Sequence, residues 1–344
     1  MINVGIVGAT GYGGVELVRL LLARDDVNLC KLSSVSFEGK KISEIYPMLY
    51  GICDDVLDTQ DKVVDACDVV FAALPHGLSQ TLAKECIEKG KIFIDLGADF
   101  RLEDEETYKK WYGCSFEDKA LQDSAIYGLC ELNRDKLRGA RLIANPGCYP
   151  TSIALGLFPA LKNKFCSTKG IIIDSKSGAT GAGRGLTQTT HFTELNEGFA
   201  AYKVGSHRHT PEIEQTLSKM AGEDIAVTFV PHLLPINRGI ESTIYADMNP
   251  EYTLLQIHDA YVDFYKNEKF VTVMPLGTAA NVRNVRMTNQ CQISLHEDKH
   301  TGRLIISSVI DNMVKGAAGQ AIQNMNLALG LPEDRGLPIL APAF

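Results

Sequence analysis

Seven residues near the start, GATGYGG at 8–14, constrain the fold of this chain more than any other feature. They break an apolar run rich in Val and Ile over 2–9, and behind them VELVRLLLAR resumes with apolar residues at helical spacing. The order is strand, tight turn, helix. Gly8, Gly11 and Gly14 recur every third residue, unlike the commoner GxGxxG, but they occupy the same place between a first strand and a first helix. Backbone without Cβ can approach a pyrophosphate there, and the helix start offers unpaired N–H groups and the positive end of a dipole. Gly8, Thr10, Gly11, Tyr12 and Gly13 are therefore candidate contacts to a dinucleotide. The plain alternative is a tight turn and nothing more.

The alternation continues through VNLCKLSS, VVFAAL, KIFIDLGAD and RLIANPG as strands, with HGLSQTLAKECIEKG as a helix between them. Strands alternating with helices imply a parallel sheet with right-handed crossovers. Beyond residue 170 the pattern changes to six strand-like runs: GIIIDSKSG, IAVTFVPHLL, RGIESTIYADM, FVTVMP, QISLHED and RLIISSVID. Several alternate apolar with polar, as antiparallel strands do. The expected fold is an α/β Rossmann-type N-terminal domain plus an α+β domain with a mainly antiparallel sheet. At 344 residues the chain exceeds one compact core, and its 45% apolar content suffices for two. We expect a dinucleotide-binding domain over 1–147, a catalytic and oligomerisation domain over 148–312, and a C-terminal piece over 313–344 whose helix packs back on the first domain.

A net charge of −8 argues against a nucleic-acid surface, since phosphate backbones select for clustered Lys and Arg. The acidic stretch Glu103 to Glu106 reads as a solvated turn or helix start. The N-terminus lacks the basic start and apolar run of a secretory signal, and no stretch reaches membrane-spanning length, which makes the cytoplasm the expected compartment. Nine cysteines without CxxC pairs fit free thiols in a reducing compartment, with no metal expected.

NAD-binding units usually carry an acidic residue at the end of the second strand to hold the ribose hydroxyls. Here that place reads LSSVSFEGKK, where Ser33, Ser34 and Ser36 are neutral and Lys40 and Lys41 stand near enough in sequence to pair with a 2′-phosphate. That favours NADP; otherwise these serines merely end a strand. Cys148 lies in NPGCYPTS, where Pro146 and Gly147 end a strand and Pro150 suits the first turn of the helix TSIALGLFPAL. A thiol at a helix start is stabilised as thiolate, which makes Cys148 the candidate nucleophile. Cys30, Cys67 and Cys86 lie in or beside apolar segments, as small buried hydrophobes do. A second cluster, AYKVGSHRHTPE, gathers His207, Arg208 and His209. Residues two apart point to opposite sides, so one histidine is expected to face the reaction centre unless the segment is irregular, with His232 next in line as the acid/base group.

At these residues the chain resembles the N-acetyl-γ-glutamyl-phosphate reductases, in their longer form, within the aspartate-semialdehyde dehydrogenase-like superfamily. The likeness runs through GATGYGGVEL, LPHGLS at 74–79, DLGADFRL at 95–102, YGLCELNR at 127–134, NPGCYPT at 145–151, SGATGAGR at 177–184, HRHTPE at 207–212, VPHLLPINRGI at 230–240 and DNMVKGAAGQAIQNMNLALG at 311–330. It implies Cys148 as nucleophile, an acid/base histidine at His207 or His209, NADP contacts that include Ser177, Gly178 and Asn312, and phosphate contacts from Arg184 and Arg208. It also implies a small acyl-phosphate substrate and a homo-oligomer. Two departures are Gly97, where the family more often has serine, and TNQC at 288–291, which only approximates its GSNxC. The relative that reduces a carrier-bound aminoadipyl phosphate shares most of these motifs, and aspartate-semialdehyde dehydrogenase shares the cofactor turn and cysteine segment. A non-catalytic NADP-binding regulator would need no thiolate.

Overall fold

The computed structural model describes residues 1–343 and separates into two units, 1–146 with 317–337 and 147–316 with 338–343. In the first unit the chain runs through β1 (Ile2–Val7), α1 (Tyr12–Leu21), β2 (Val27–Ser33), α2 (Ile42–Ile45), α3 (Gln60–Ala66) and β3 (Val69–Ala72). It continues through α4 (Gln80–Glu88), β4 (Ile92–Asp95), α5 (Glu105–Tyr112), α6 (Lys119–Ser124), β5 (Ile126–Tyr127), α7 (Cys130–Leu137) and β6 (Leu142–Ala144). The six strands form a parallel sheet in the order β2-β1-β3-β4-β6-β5. A parallel sheet covered on both faces calls for continuously apolar strands, and Val69 to Ala72 are indeed fully buried. The chain steps from β1 to β2 on one side and then to β3 on the other. That reversal opens a crevice beyond the ends of β1 and β3, where such sheets bind ligands.

Helix α4 starts later than HGLSQTLAKECIEKG suggests, because Gly77 takes a left-handed φ of 84° and keeps 76–79 out of the helix. The acidic run becomes the start of α5, where Asp104 accepts from the Thr107 N–H at 2.8 Å and Glu105 and Glu106 occupy the first turn.

The second unit contains α8 (Cys148–Lys162), β7 (Ile172–Gly178), α9 (Phe192–Leu195), β8 (Ala200–Ala201), α10 (Thr210–Ala221), β9 (Thr228–Leu234), β10 (Ile240–Asp247), α11 (Leu254–Tyr265), β11 (Val271–Val273), β12 (Cys291–Asp298) and β13 (Arg303–Ile310). All six expected runs are strands, joined by the short β8. The sheet order is β11-β12-β13-β10-β7-β9-β8, with β7–β9 and β11–β12 parallel and the other pairs antiparallel. Helix α8 lies on one face, where Ser152 Oγ meets Ser242 Oγ at 2.7 Å and Ser242 Oγ meets Ser175 Oγ at 2.8 Å. Tyr261 and Tyr265 of α11 donate to the Gly156 and Leu155 carbonyls at 2.8 and 2.6 Å, which fixes α11 to α8. No helix among the described residues is long and apolar enough to cross a membrane.

The segment 313–344, expected as one piece, is divided. A π-helical turn at Val314–Ala318 begins in the second unit, α12 (Gly319–Ala328) belongs to the first, and 338–343 return to the second, where Pro338 accepts from the Asn289 N–H at 2.8 Å. The helix stays in the first unit through polar side chains: Asn324 Nδ2 donates to Asn145 Oδ1 at 3.0 Å, and Asn326 Oδ1 accepts from Arg24 Nη1 at 2.7 Å.

Candidate active site

In the first unit the GATGYGG turn closes tightly. Gly8 has φ 83°, and a Cβ there would stand 2.5 Å from the Ala73 carbonyl oxygen, so only glycine fits. Gly11 is the N-cap of α1 and offers no side-chain cap, which leaves the N–H groups of the first turn facing the crevice end of the sheet. Tyr12 and Gly13 begin the helix. Thr10 and Ser34 are both buried, and their hydroxyls share a hydrogen bond at 2.7 Å that ties the turn to the end of β2. Ser36 is exposed in a short 3-10 turn, and Lys40 and Lys41 are exposed beyond it. Tyr46, which sequence reasoning missed, donates from its hydroxyl to the Thr10 carbonyl at 2.9 Å. No periodicity flags a residue that reaches the turn from between two single helical turns.

In the second unit Cys148 is the first residue of α8, with Gly147 as N-cap and no side-chain cap. The Gly147 N–H donates instead to Glu212 Oε1 at 2.8 Å. Glu212, fully buried in the first turn of α10, thus joins the NPGCYPT and HRHTPE blocks. The π-helical turn stands against the nucleophile: a Cβ on Gly316 would lie 2.8 Å from the Cys148 Cβ. Such turns are rare and recur at functional sites.

The histidines do not take opposite sides. Residues 203–209 form an irregular turn in which Lys203 has φ 47° and His209 is the N-cap of α10, so strand alternation does not apply. The imidazole centroids are 5.0 Å apart, and both rings stand edge-on to Tyr149, the neighbour of Cys148, at 5.4 and 5.9 Å. His207 is buried among Tyr149, Tyr202 and Phe229. Its Nδ1 accepts from the His209 backbone N–H at 3.1 Å, which puts the ring proton on Nε2. Burial, reinforced by the Lys203 and Arg208 charges, pulls its pKa down to about 4. The Tyr149 and Tyr202 hydroxyls share a hydrogen bond at 2.9 Å, and burial pushes Tyr149 well above the ordinary tyrosine range and Tyr202 up to about 12.

Ser177 and Gly178 end β7, and Ser177 is buried with its hydroxyl donating to the Gly178 carbonyl at 3.0 Å. Asn312 is also buried: its Oδ1 accepts from the Gly239 N–H at 2.8 Å and its Nδ2 donates to Thr180 Oγ1 at 3.0 Å, which binds the loops after β7 and before β10 together. Arg184 is exposed beyond β7 and Arg208 is half-buried between the histidines. His232 stands apart. In β9 it pairs across from Lys176, with Nδ1 3.1 Å from Asp174 Oδ1, on the sheet face opposite α8, because Lys176 and Asp174 alternate with the α8-facing Ser175.

Comparison with known proteins agrees with both units. A family model described as the NAD binding domain of semialdehyde dehydrogenase matches residues 3–140, and one described as its dimerisation domain matches 148–312. Aspartate semialdehyde dehydrogenase II from Vibrio cholerae shares the fold with a TM-score of 0.72 at 17% identity, over 95% of this chain and 98% of that one. Proteins named N-acetyl-gamma-glutamyl-phosphate reductase are far more similar in sequence. That of Clostridium beijerinckii is 57% identical over the whole of both chains, and that of Brachyspira hyodysenteriae is 58% identical, also over the whole of both. With full-length identity of this order, the chain belongs to the N-acetyl-γ-glutamyl-phosphate reductase family.

Proposed function

We propose that the chain reduces N-acetyl-γ-glutamyl phosphate to N-acetylglutamate semialdehyde and phosphate, a step of arginine biosynthesis, in the cytoplasm. The observation that carries this is Cys148 at the start of α8 with two histidine rings on the adjacent Tyr149. The Cys148 thiolate attacks the acyl carbon, the bond from that carbon to the phosphate oxygen breaks, and phosphate leaves a thioester on the sulfur. Arg184 and Arg208 supply positive charge for the phosphate. NADPH, when bound, supplies hydride to the thioester carbon. Collapse of the resulting thiohemiacetal breaks the C–S bond, frees the aldehyde and returns the thiolate. His209 carries the proton in these steps. His207, neutral with its Nδ1 already used by a backbone N–H, holds the turn.

The first unit fits NADP. Gly8 leaves room for a pyrophosphate, the uncapped start of α1 supplies N–H donors, and the end of β2 offers Ser33 and Ser34 where an NAD site carries an acid. Gly8, Thr10, Gly11, Tyr12, Gly13, Ser34 and Ser36 would hold it, with Lys40 and Lys41 near the 2′-phosphate. The family resemblance adds Ser177, Gly178 and Asn312 as proposed NADP contacts. The dimerisation family match supports a homo-oligomer. Its interface is the sheet face opposite α8, where Ile172, Val230, Tyr245 and Ile305 remain partly exposed.

The test follows NADPH formation from N-acetylglutamate semialdehyde and phosphate. Wild type is expected to turn over with NADP and poorly with NAD. Cys148→Ser is expected to lose activity while still binding NADPH, since an alcohol oxygen cannot replace a thiolate here. More than a few per cent residual activity in that variant would end the thioester reading.

A further inference from the structure

The LPHGLS and DLGADFRL blocks take no part in the chemistry above, yet they meet in a buried polar cluster of the first unit. Ser79 is its hub. The Ser79 N–H donates to Asp99 Oδ2 at 2.8 Å and its hydroxyl to Asp95 Oδ1 at 2.8 Å. Asp99 Oδ1 also accepts from the Gly77 N–H at 2.6 Å and from the Tyr108 hydroxyl at 2.8 Å, and Asp95 Oδ1 accepts from the Gly97 N–H at 2.9 Å. Ser79, Asp95, Asp99 and Tyr108 are fully buried. Asp95 Oδ2 is buried with no hydrogen-bond partner among the described residues, and burial beside Asp99 pushes this carboxyl up to about 6. Two carboxylates buried side by side carry a desolvation cost that an apolar core would not. Ser79 immediately precedes α4, where a serine normally caps the helix, but its hydroxyl turns to Asp95 instead.

The cluster shapes the loop after β3, residues 73–79. Asp99 gathers two of its backbone N–H groups, at Gly77 and Ser79, and so sets its path over the left-handed Gly77. The start of this loop lies against the dinucleotide turn, because the Ala73 N–H donates to the Val7 carbonyl at 2.8 Å and the Ala73 carbonyl occupies the space a Gly8 Cβ would take. That is the place where strand order reverses, the expected ligand crevice of such a sheet. On the loop's outer side Leu78 is 59% exposed, an apolar surface that no buried neighbour requires.

The 73–79 loop flanks the dinucleotide turn at this switch point, and we propose that Asp99 and Ser79, which set its path, are positioning residues for NADP binding. The proposal rests on the NADP reading above. Asp99 and Ser79 do not touch the acyl substrate's chemistry, so their loss acts on cofactor affinity and leaves the semialdehyde site alone.

The test is a fluorescence titration of the full chain with NADPH for wild type, Asp99→Asn, Ser79→Ala and Tyr108→Phe. Thermal unfolding and the KM for the semialdehyde are measured beside it. Asp99→Asn is expected to raise the Kd for NADPH roughly tenfold or more, the effect of a lost hydrogen bond to a charged group, and Ser79→Ala roughly threefold. The KM for the semialdehyde should stay at the wild-type value. If Asp99→Asn does not fold, Ser79→Ala and Tyr108→Phe decide the matter. Folded variants that bind NADPH as wild type does overturn the proposal, as does equal weakening of NADPH and semialdehyde, which marks the cluster as structural only. A wild type that does not bind NADPH sinks the cofactor reading itself, a result distinct from unchanged variants.

Discussion

His207 and His209 are chemically alike, but the backbone engages a ring nitrogen of His207. His207 has one nitrogen engaged by a backbone N–H, is buried, and has its pKa lowered to about 4 from an ordinary 6.5. A general acid or base works best with a pKa near the operating pH, which argues against His207 in that role and for a test of His209. His209→Asn is expected to lose roughly 10²–10⁴-fold in turnover at saturating substrate, and His207→Asn far less, with its effect on stability or KM. Comparable losses in both folded variants would show that the pair acts jointly. The lowered pKa also sets a pH signature. Between pH 6.5 and about 4 the unfolded chain takes up a proton that folded His207 refuses, so stability falls as pH falls through that window. In His207→Asn this component vanishes, and the melting temperature should decline less steeply with acid than in wild type.

Among the elements, the π-helical turn Val314–Ala318 lies against the nucleophile itself. Gly316→Ala would push a methyl group into Cys148 and displace one turn from the other. Turnover is expected to fall about 100-fold, as misplacement of a reacting group by an ångström can do, while NADPH titration remains as in wild type. Unchanged turnover would mean that the contact is slack. Much of this scale was legible in the residues: the strands of both sheets follow from apolar runs, and the start of α8 from NPGCYP. The irregular turn at 203–209 was not, because strand or helix periodicity presupposes regular backbone, and Lys203 at φ 47° breaks it. Glu212 was likewise hidden. A glutamate in a first helical turn ordinarily faces water and complements the dipole, and only the fold shows this one buried on the Gly147 N–H. Strand β5, at two residues, is too short for any pattern.

For the whole molecule, the exposed sheet face makes the oligomeric state testable without touching the site. Ile172 and Tyr245 are cross-strand partners on that face. Replacing them together, Ile172→Lys with Tyr245→Glu, sets opposite charges side by side, which a monomer tolerates in water and an apolar interface does not. Sedimentation velocity should find wild type as a dimer or larger assembly and the double variant as a folded monomer, judged by circular dichroism. A monomeric wild type would remove the interface.

The division of the chain also orders events in time. Residues of α12 complete the first unit: Gln320 donates to the Gly128 carbonyl at 2.9 Å, Asn324 accepts from Cys130 at 3.0 Å, and Asn326 meets Arg24 at a separation of 302 residues. Synthesis proceeds from the N-terminus, so the dinucleotide unit, first to emerge from the ribosome, waits for almost the entire chain before its last helix arrives. Until then Arg24, Asn145 and Cys130 lack their partners on α12, and the unit that begins first is completed only after nearly all of the second has been made.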